Sequence, residues 1–272
     1  MITLVQTSQN RQSELMRFIN SLNSQIGIDF NEVQLIFVDQ ESNREVFDEL
    51  RKEIVFTYVP SSHCSLSYAR NIALPYVKGE YIAFPDDDCW YETDTLKKVL
   101  LHFRKGINGV IARGCDEYGD NTNNFKAKSR YLSLYNHCGA ISYCIFLKFN
   151  PFLKFDENLG VGSSSGLLSG EESDYLFHYL QTDTNVYYDV DIIVRHPKNR
   201  ADYFKNSRHK AFCYARGYGH ILKKNHYPFF QVLAAFLRPV AGIVVYGLTF
   251  QPDRAMNSYN LLKGRLQGYF QS

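Results

Sequence analysis

Tyr81-Ile82-Ala83-Phe84-Pro85-Asp86-Asp87-Asp88 is a short apolar strand pattern that runs straight into three consecutive carboxylates. Adjacent anions repel one another, so their clustering predicts a positive partner, for which a divalent metal is the first candidate. Open α/β sheets bind ligands above the carboxyl ends of their strands. A hard oxygen site there suits Mg2+ or Mn2+ bridging to a diphosphate. The competing reading is a helix start, with Asp87 or Asp88 capping a helix that begins near Trp90 and continues through Leu96 and Val99. A cap needs one aspartate; three together favour the metal.

Working outward, Ile2–Gln6, Val33–Val38 and Ile54–Val59 are further strand-like apolar runs. Between them Leu15, Phe18, Ile19 and Leu22 recur at helical spacing, as do Leu66, Ala69, Ile72 and Ala73 before Pro75 and Lys78-Gly79 end the pattern. Repeated βα units predict an α/β fold: a mostly parallel central sheet flanked by helices, with function in the loops that follow the strands. Three such loops carry polar residues that packing does not require: Thr7-Ser8-Gln9-Asn10-Arg11, Asp39-Gln40-Glu41-Ser42 and Asp86-Asp87-Asp88. Beyond Gly106, apolar segments at 109–112 and 141–147 flank a polar stretch, Asp116 to Lys128, which reads as a mobile loop. Gly160-Val161-Gly162-Ser163-Ser164-Ser165-Gly166 is rich in flexible residues and precedes a helix start at Gly170-Glu171-Glu172-Ser173-Asp174.

Composition bounds the possibilities. The 272 residues, 45% of them hydrophobic, suffice for one large α/β domain with an appendage. Thirty basic residues against 28 acidic ones leave a net charge of +2, which gives no general argument for nucleic-acid binding. The six cysteines form no CxxC pair and read as reduced thiols of a cytosolic chain. The N-terminus turns polar after Val5, unlike a secretory signal, so the catalytic part is expected to face the cytoplasm.

The ordered loops resemble those of the family 2 glycosyltransferases, bacterial nucleotide-sugar enzymes of the GT-A fold, over roughly Ile2 to His196. The resemblance implies that Thr7, Asn10 and Arg11 line the nucleotide and that Asp39 hydrogen-bonds the uracil ring of a UDP-sugar donor. Ser67-Tyr68-Ala69-Arg70-Asn71 is similar to the family's Ala-Arg-Asn segment, which implies that Arg70 and Asn71 sit near the nucleotide. Asp86-Asp87-Asp88 takes the place of the DxD motif. Asp86 and Asp87 then face the donor and Asp88 the Mn2+ or Mg2+, with His196 as a further metal or diphosphate ligand. Gly170-Glu171-Glu172-Ser173-Asp174 looks like the Gly-Glu-Asp-x-Asp motif that supplies the catalytic base. The chain departs from that pattern at Glu172, one methylene longer than aspartate. Glu172 is therefore the first choice as base, with Glu171 and Asp174 as alternatives. An acidic helix N-terminus is the bland reading of the same residues.

From Tyr227 to Phe250 the chain is apolar, interrupted near its middle by Arg238-Pro239, so a complete membrane crossing is not expected. Lys205, Arg208, His209, Lys210, Arg216, Lys223 and Lys224 precede this run; Lys263 and Arg265 follow it. Basic residues flanking apolar helices suit anionic headgroups, which predicts peripheral or monotopic attachment to the cytoplasmic face of the inner membrane. Packed core helices are the alternative. Arg216-Gly217-Tyr218-Gly219 is expected near an acceptor's phosphates.

These readings divide the chain into a GT-A domain over 1–200 and a helical, basic and apolar segment over 201–272. The implied activity is inverting, metal-dependent transfer of a hexose from a UDP-sugar to a lipid-linked glycan acceptor in surface polysaccharide (O-antigen or capsule) assembly. A sugar nucleotidyltransferase and a non-catalytic assembly subunit are the rivals. The former needs a glycine-rich loop after the first strand, and Thr7 to Arg11 contains no glycine.

Overall fold

The computed structural model describes residues 1–198 and 205–271; of Lys205, Asn206 and Ser207 the backbone alone is described. Two compact units emerge. The first comprises Met1–Cys64, Tyr68–Lys154 and Tyr175–Lys198, and the second Ser65–Ser67, Phe155–Asp174 and the C-terminal residues from 199 onward.

The first unit holds a sheet of nine strands among the described residues. Strands β1 (Ile2–Ser8), β2 (Val33–Asp39), β3 (Val55–Pro60) and β4 (Tyr81–Ala83) are mutually parallel in the order β3-β2-β1-β4. β1 and β2 are buried along their whole length, as expected of strands covered on both faces. Helices α1 (Gln12–Asn23) and α2 (Leu66–Ala73) make the crossovers. α1 turns Leu15, Phe18, Ile19 and Leu22 into the core, a 3.6-residue stripe legible in the sequence.

The other half of the sheet is mixed. After β5 (Trp90–Tyr91) and α3 (Thr95–Arg104) come β6 (Gly109–Cys115), β7 (Arg130–Tyr131), β8 (Ile145–Lys148), α4 (Glu171–Thr182) and β9 (Val186–Arg195). β8 inserts antiparallel between β4 and β6, whereas β9 runs parallel to β6 and antiparallel to β5 and β7. Trp90 does not open a helix. It pairs with Arg195 across β5 and β9, and α3 starts five residues later, so neither Asp87 nor Asp88 is a helix cap. The stretch after Asp116, expected as a mobile loop, begins in a defined turn: one Asp116 carboxylate oxygen accepts from the Tyr118 and Asp120 N–H groups (3.0 and 2.8 Å).

In the second unit, α5 (Lys205–Lys224), α6 (Phe229–Leu248) and α7 (Pro252–Phe270) pack together. α5 and α7 approach at Gly264 and Gly268, where a Cβ would collide with the carbonyls of Phe212 and Arg216. The helix α6 runs unbroken through Arg238-Pro239, and the reason is local. Pro239 cannot donate to the carbonyl of Ala235, one turn earlier, and Arg265 donates to that carbonyl instead.

Candidate active site

The parallel strands deliver their carboxyl ends to one edge. β1 ends at Ser8 opposite Asp39, and Leu4 pairs with Ala83, so the loops after β1, β2 and β4 share that edge. Asn10 adopts a left-handed backbone (φ 53°), which asparagine tolerates better than most residues, and this sharp turn sets Arg11 at the entry to α1.

Arg11 Nη1 lies 2.6 Å from Asp88 Oδ2 and 3.3 Å from Asp87 Oδ1. Asp88 Oδ1 faces His196 Nε2 at 2.9 Å. The other His196 nitrogen, Nδ1, donates to the Pro197 carbonyl at 2.7 Å, and the ring stacks on Tyr143 with centroids 4.5 Å apart. Parallel pairing of Cys115 with Arg195 brings His196 here, its N–H bonded to the Cys115 carbonyl. Asp86 accepts from Arg70 Nη2 and from the Ser142 hydroxyl, both at 3.0 Å. Arg70 is fully buried, a placement that a guanidinium tolerates only beside an anion. Asn71 follows it on α2, half-buried.

Neighbouring carboxylates are tuned in opposite directions. Burial is the largest influence on Asp87 and pushes it up to about 6, against the Ser8 hydroxyl (2.7 Å) and Arg11. Burial would raise Asp88 too, but His196 and Arg11 outweigh it and hold the carboxyl below its ordinary range. Burial likewise disfavours the charged His196 ring; Asp88 reverses this and raises it.

A divalent cation fits this donor set. Asp86, Asp88 and His196 offer ligand atoms within 4.8 Å of one another, two hard carboxylates and an imidazole of the kind Mn2+ accepts. The Arg11 guanidinium already marks the place as one for positive charge.

In the loop after β1, Thr7 is buried and accepts from the Gln40 side chain at 3.0 Å. Asp39 is also buried, with both oxygens engaged: Glu41 N–H and Asn43 Nδ2 on one, Asn43 N–H and the Tyr58 hydroxyl on the other. Three of these four donors belong to its own turn.

The second unit holds Glu171, Glu172 and Asp174. Glu171 is buried beside Gly160, where a Cβ would stand 3.1 Å from both the Glu171 carboxyl carbon and Ser67 Oγ. Glu172 is half-buried in the first turn of α4. Asp174 is buried and accepts from Lys224 Nζ at 2.8 Å and Asn225 Nδ2 at 3.1 Å.

Sequence reading missed four residues of the first unit's site: Ser8, Arg17, Ser142 and Tyr143. Ser8 stood inside the quoted loop. Arg17, which donates to the Asp88 carbonyl at 2.7 Å and covers Trp90 at 4.2 Å, carried a spacing signal, lying on α1 shortly after Arg11. Ser142 and Tyr143 gave none, because residues 141–147 read as one apolar run and instead form a tight turn before β8.

Comparison with solved structures finds Staphylococcus aureus TarS 1–349 in complex with UDP (TM-score 0.61, 14% identity, 98% of this chain and 91% of that one). The same TarS fragment with UDP-GlcNAc gives a TM-score of 0.60 at 13% identity, over 100% and 93% of the two chains. A mannosyltransferase, PcManGT from Pyrobaculum calidifontis in complex with GDP-Man and Mn2+, gives 0.65 at 12% identity, over 100% and 87%. At such identities the likeness establishes the GT-A fold. Comparison with curated protein sequences finds no match. The model of the family described as glycosyl transferase family 2 matches residues 3–168, more than half the chain, with the aspartate corner and the Arg70 segment inside the match. The chain belongs to glycosyl transferase family 2.

Proposed function

We propose that this glycosyltransferase moves a hexose from a UDP-sugar to a lipid-linked glycan acceptor, with inversion, in surface polysaccharide assembly on the cytoplasmic face of the inner membrane. The observation that carries the donor half is the convergence of Arg11, Asp88 and His196, one carboxylate held between a guanidinium and an imidazole at the strand ends. TarS has been solved with UDP and UDP-GlcNAc, and PcManGT with GDP-Man and Mn2+; both support a nucleotide-sugar donor here.

Asp88, Asp86 and His196 would hold Mn2+ or Mg2+, which supplies charge compensation for the departing nucleoside diphosphate. Arg11 shifts from Asp88 toward the diphosphate oxygens, a better match for its planar fork. Arg70 holds the Asp86 carboxylate in place. Asp39 meets the base, where the Tyr58 hydroxyl, the one donor from outside its turn, is the partner that a uracil N–H replaces or shares. Glu172 takes the proton of the attacking hydroxyl, with Glu171 next in line; Asp174 is committed to Lys224 and Asn225. Direct displacement leaves no covalent enzyme intermediate.

The membrane half rests on α6. An 18-residue window of this 20-residue helix has a mean hydropathy of 1.7, with 17% of it buried, and the helix exposes Phe229, Phe230, Leu237, Val244, Val245 and Leu248. Lys210, Lys223 and Lys263 lie on the helices before and after it, a composition suited to an anionic leaflet. Two measurements test the proposal. Hydrolysis of UDP-sugars with and without Mn2+ should require the metal and the intact Asp88. The protein should co-sediment with phosphatidylglycerol vesicles and not with phosphatidylcholine vesicles. Metal-independent turnover would remove the donor half, and indifference to lipid the membrane half.

A further inference from the structure

The cations of the second unit are mostly spoken for. Lys224 pairs with Asp156 (2.7 Å) and Asp174, Arg208 with Asp253, and Arg265 with the Ala235 carbonyl. Lys210 lies over Tyr214 and Lys263 over Phe212. Arg216 differs: among the described residues its half-buried side chain makes no hydrogen bond or ion pair. A guanidinium kept partly out of water with no counter-charge is held at a cost unless an anion arrives.

Its setting suits an anion. Arg216 Nη1 stands against Gly166, where a Cβ would come within 3.1 Å of it. Gly166 has positive φ, as have Gly160 and Gly162 earlier in the loop, so the turn that meets the guanidinium is sharply bent and carries no side chain at Gly166. The loop is braced from within: the Ser163 and Ser165 hydroxyls pair at 2.9 Å, and Ser165 Oγ accepts from the Leu167 N–H at 3.1 Å. Ser164 and Gly162 remain exposed.

The same loop leads into the acidic start of α4, and its packing on α5 fixes Arg216 with respect to that start. Ser169 Oγ donates to the Tyr214 carbonyl at 2.7 Å, Ser169 lies against Gly217, and a Cβ on Gly170 would meet Ile221. We infer that Arg216, set over the glycine-rich loop 160–166, is an anion subsite for the acceptor and takes a phosphate of its lipid carrier. Bidentate recognition by a planar fork over a bare backbone favours phosphate. The inference rests on the lipid-linked acceptor proposed above.

The test uses the full chain with UDP and Mn2+ at saturation, so that the donor site is filled. Farnesyl diphosphate and the neutral farnesol are then titrated calorimetrically into wild type, Arg216→Gln and Arg216→Lys. Farnesyl diphosphate should bind the wild type, Arg216→Gln should weaken it about tenfold or more, and Arg216→Lys should fall between, since a point charge replaces the fork. Farnesol and UDP affinities should not change. No binding of farnesyl diphosphate to the wild type, or equal losses for both prenyl probes, overturns the inference. So does a variant that binds farnesyl diphosphate normally but leaves phosphatidylglycerol vesicles, which would assign Arg216 to a membrane headgroup. Failure of the wild type to bind UDP is a separate result that sinks the donor reading.

Discussion

Two acidic clusters in this molecule look alike in the sequence and are built for opposite ends. In the first unit, Asp87 and Asp88 lean on Arg11, whose side chain is 47% exposed and enters from a turn. In the second, Asp174, 3% exposed, is tied to Lys224 and Asn225, and Lys224 also holds Asp156. A partner that reaches in from solvent can be exchanged for a ligand at little cost. One anchored in a packed helix cannot leave without exposing a buried carboxylate. The Asp87–Asp88 corner is therefore open to a ligand, whereas Asp174 is a clasp.

The largest expected effect breaks the first cluster. Asp88→Asn keeps the side chain's shape and removes its charge; transfer should fall about 10³-fold while the protein stays folded, with a urea midpoint lowered only modestly by the lost pairing to Arg11 and His196. Steady-state turnover beside a urea melt on the same preparation decides it, and a variant as active as wild type would remove Asp88 from the site.

Glu172→Gln sharpens the contrast inside α4. Loss of a general base costs about 10²-fold or more in kcat with nucleotide affinity unchanged. Asp174, two residues on, should behave otherwise. If Glu171→Gln shows the loss and Glu172→Gln does not, the base moves by one residue and the comparison stands.

That contrast shows where the sequence was legible. The parallel half of the sheet could be read because β1 and β2 are continuous apolar runs covered on both faces, and α1 carries its stripe plainly. The mixed half could not. β5 and β7 have two residues each, too short for periodicity, and the antiparallel insertion of β8 is a pairing decided between distant segments. The loops after β1, β2 and β4 could be named because they follow strands. Ser142 and Tyr143 depend on a turn hidden in an apolar run. The preference for Glu172 over Asp174 came from the family resemblance and not from packing: Lys224 and Asn225, which commit Asp174, lie some fifty residues away.

Asp174→Ala breaks the second cluster. Lys224 keeps Asp156, so the loss should be about 2 kcal/mol, below that of a wholly isolated pair, and should appear as a lower urea midpoint at unchanged slope. Acid should loosen the same clasp through Asp156. Asp156 is held below the ordinary carboxylate value: burial alone would raise it, but Lys224 and Asn158 outweigh that effect. The stability it contributes is present above about pH 4 and lost as pH falls through its folded-state value.

Asp87 should respond to pH with the opposite sign, and by less. Its carboxyl is raised to about 6 in the folded chain, while an unfolded aspartate titrates near 4. Between those values the folded protein holds a proton that the unfolded one has released, so stability declines as pH rises through the window. Above it the buried charge is fully ionised and opposes folding. Asp87→Asn removes that burden but also the contact with Arg11. The metal-free variant should therefore gain only about 1 kcal/mol at pH 8 and nothing at pH 4. Thermal melts at the two pH values, in chelator, measure this difference directly. A variant less stable than wild type at pH 8 would mean that Asp87 is clasped as Asp174 is, and the two clusters would no longer differ in kind.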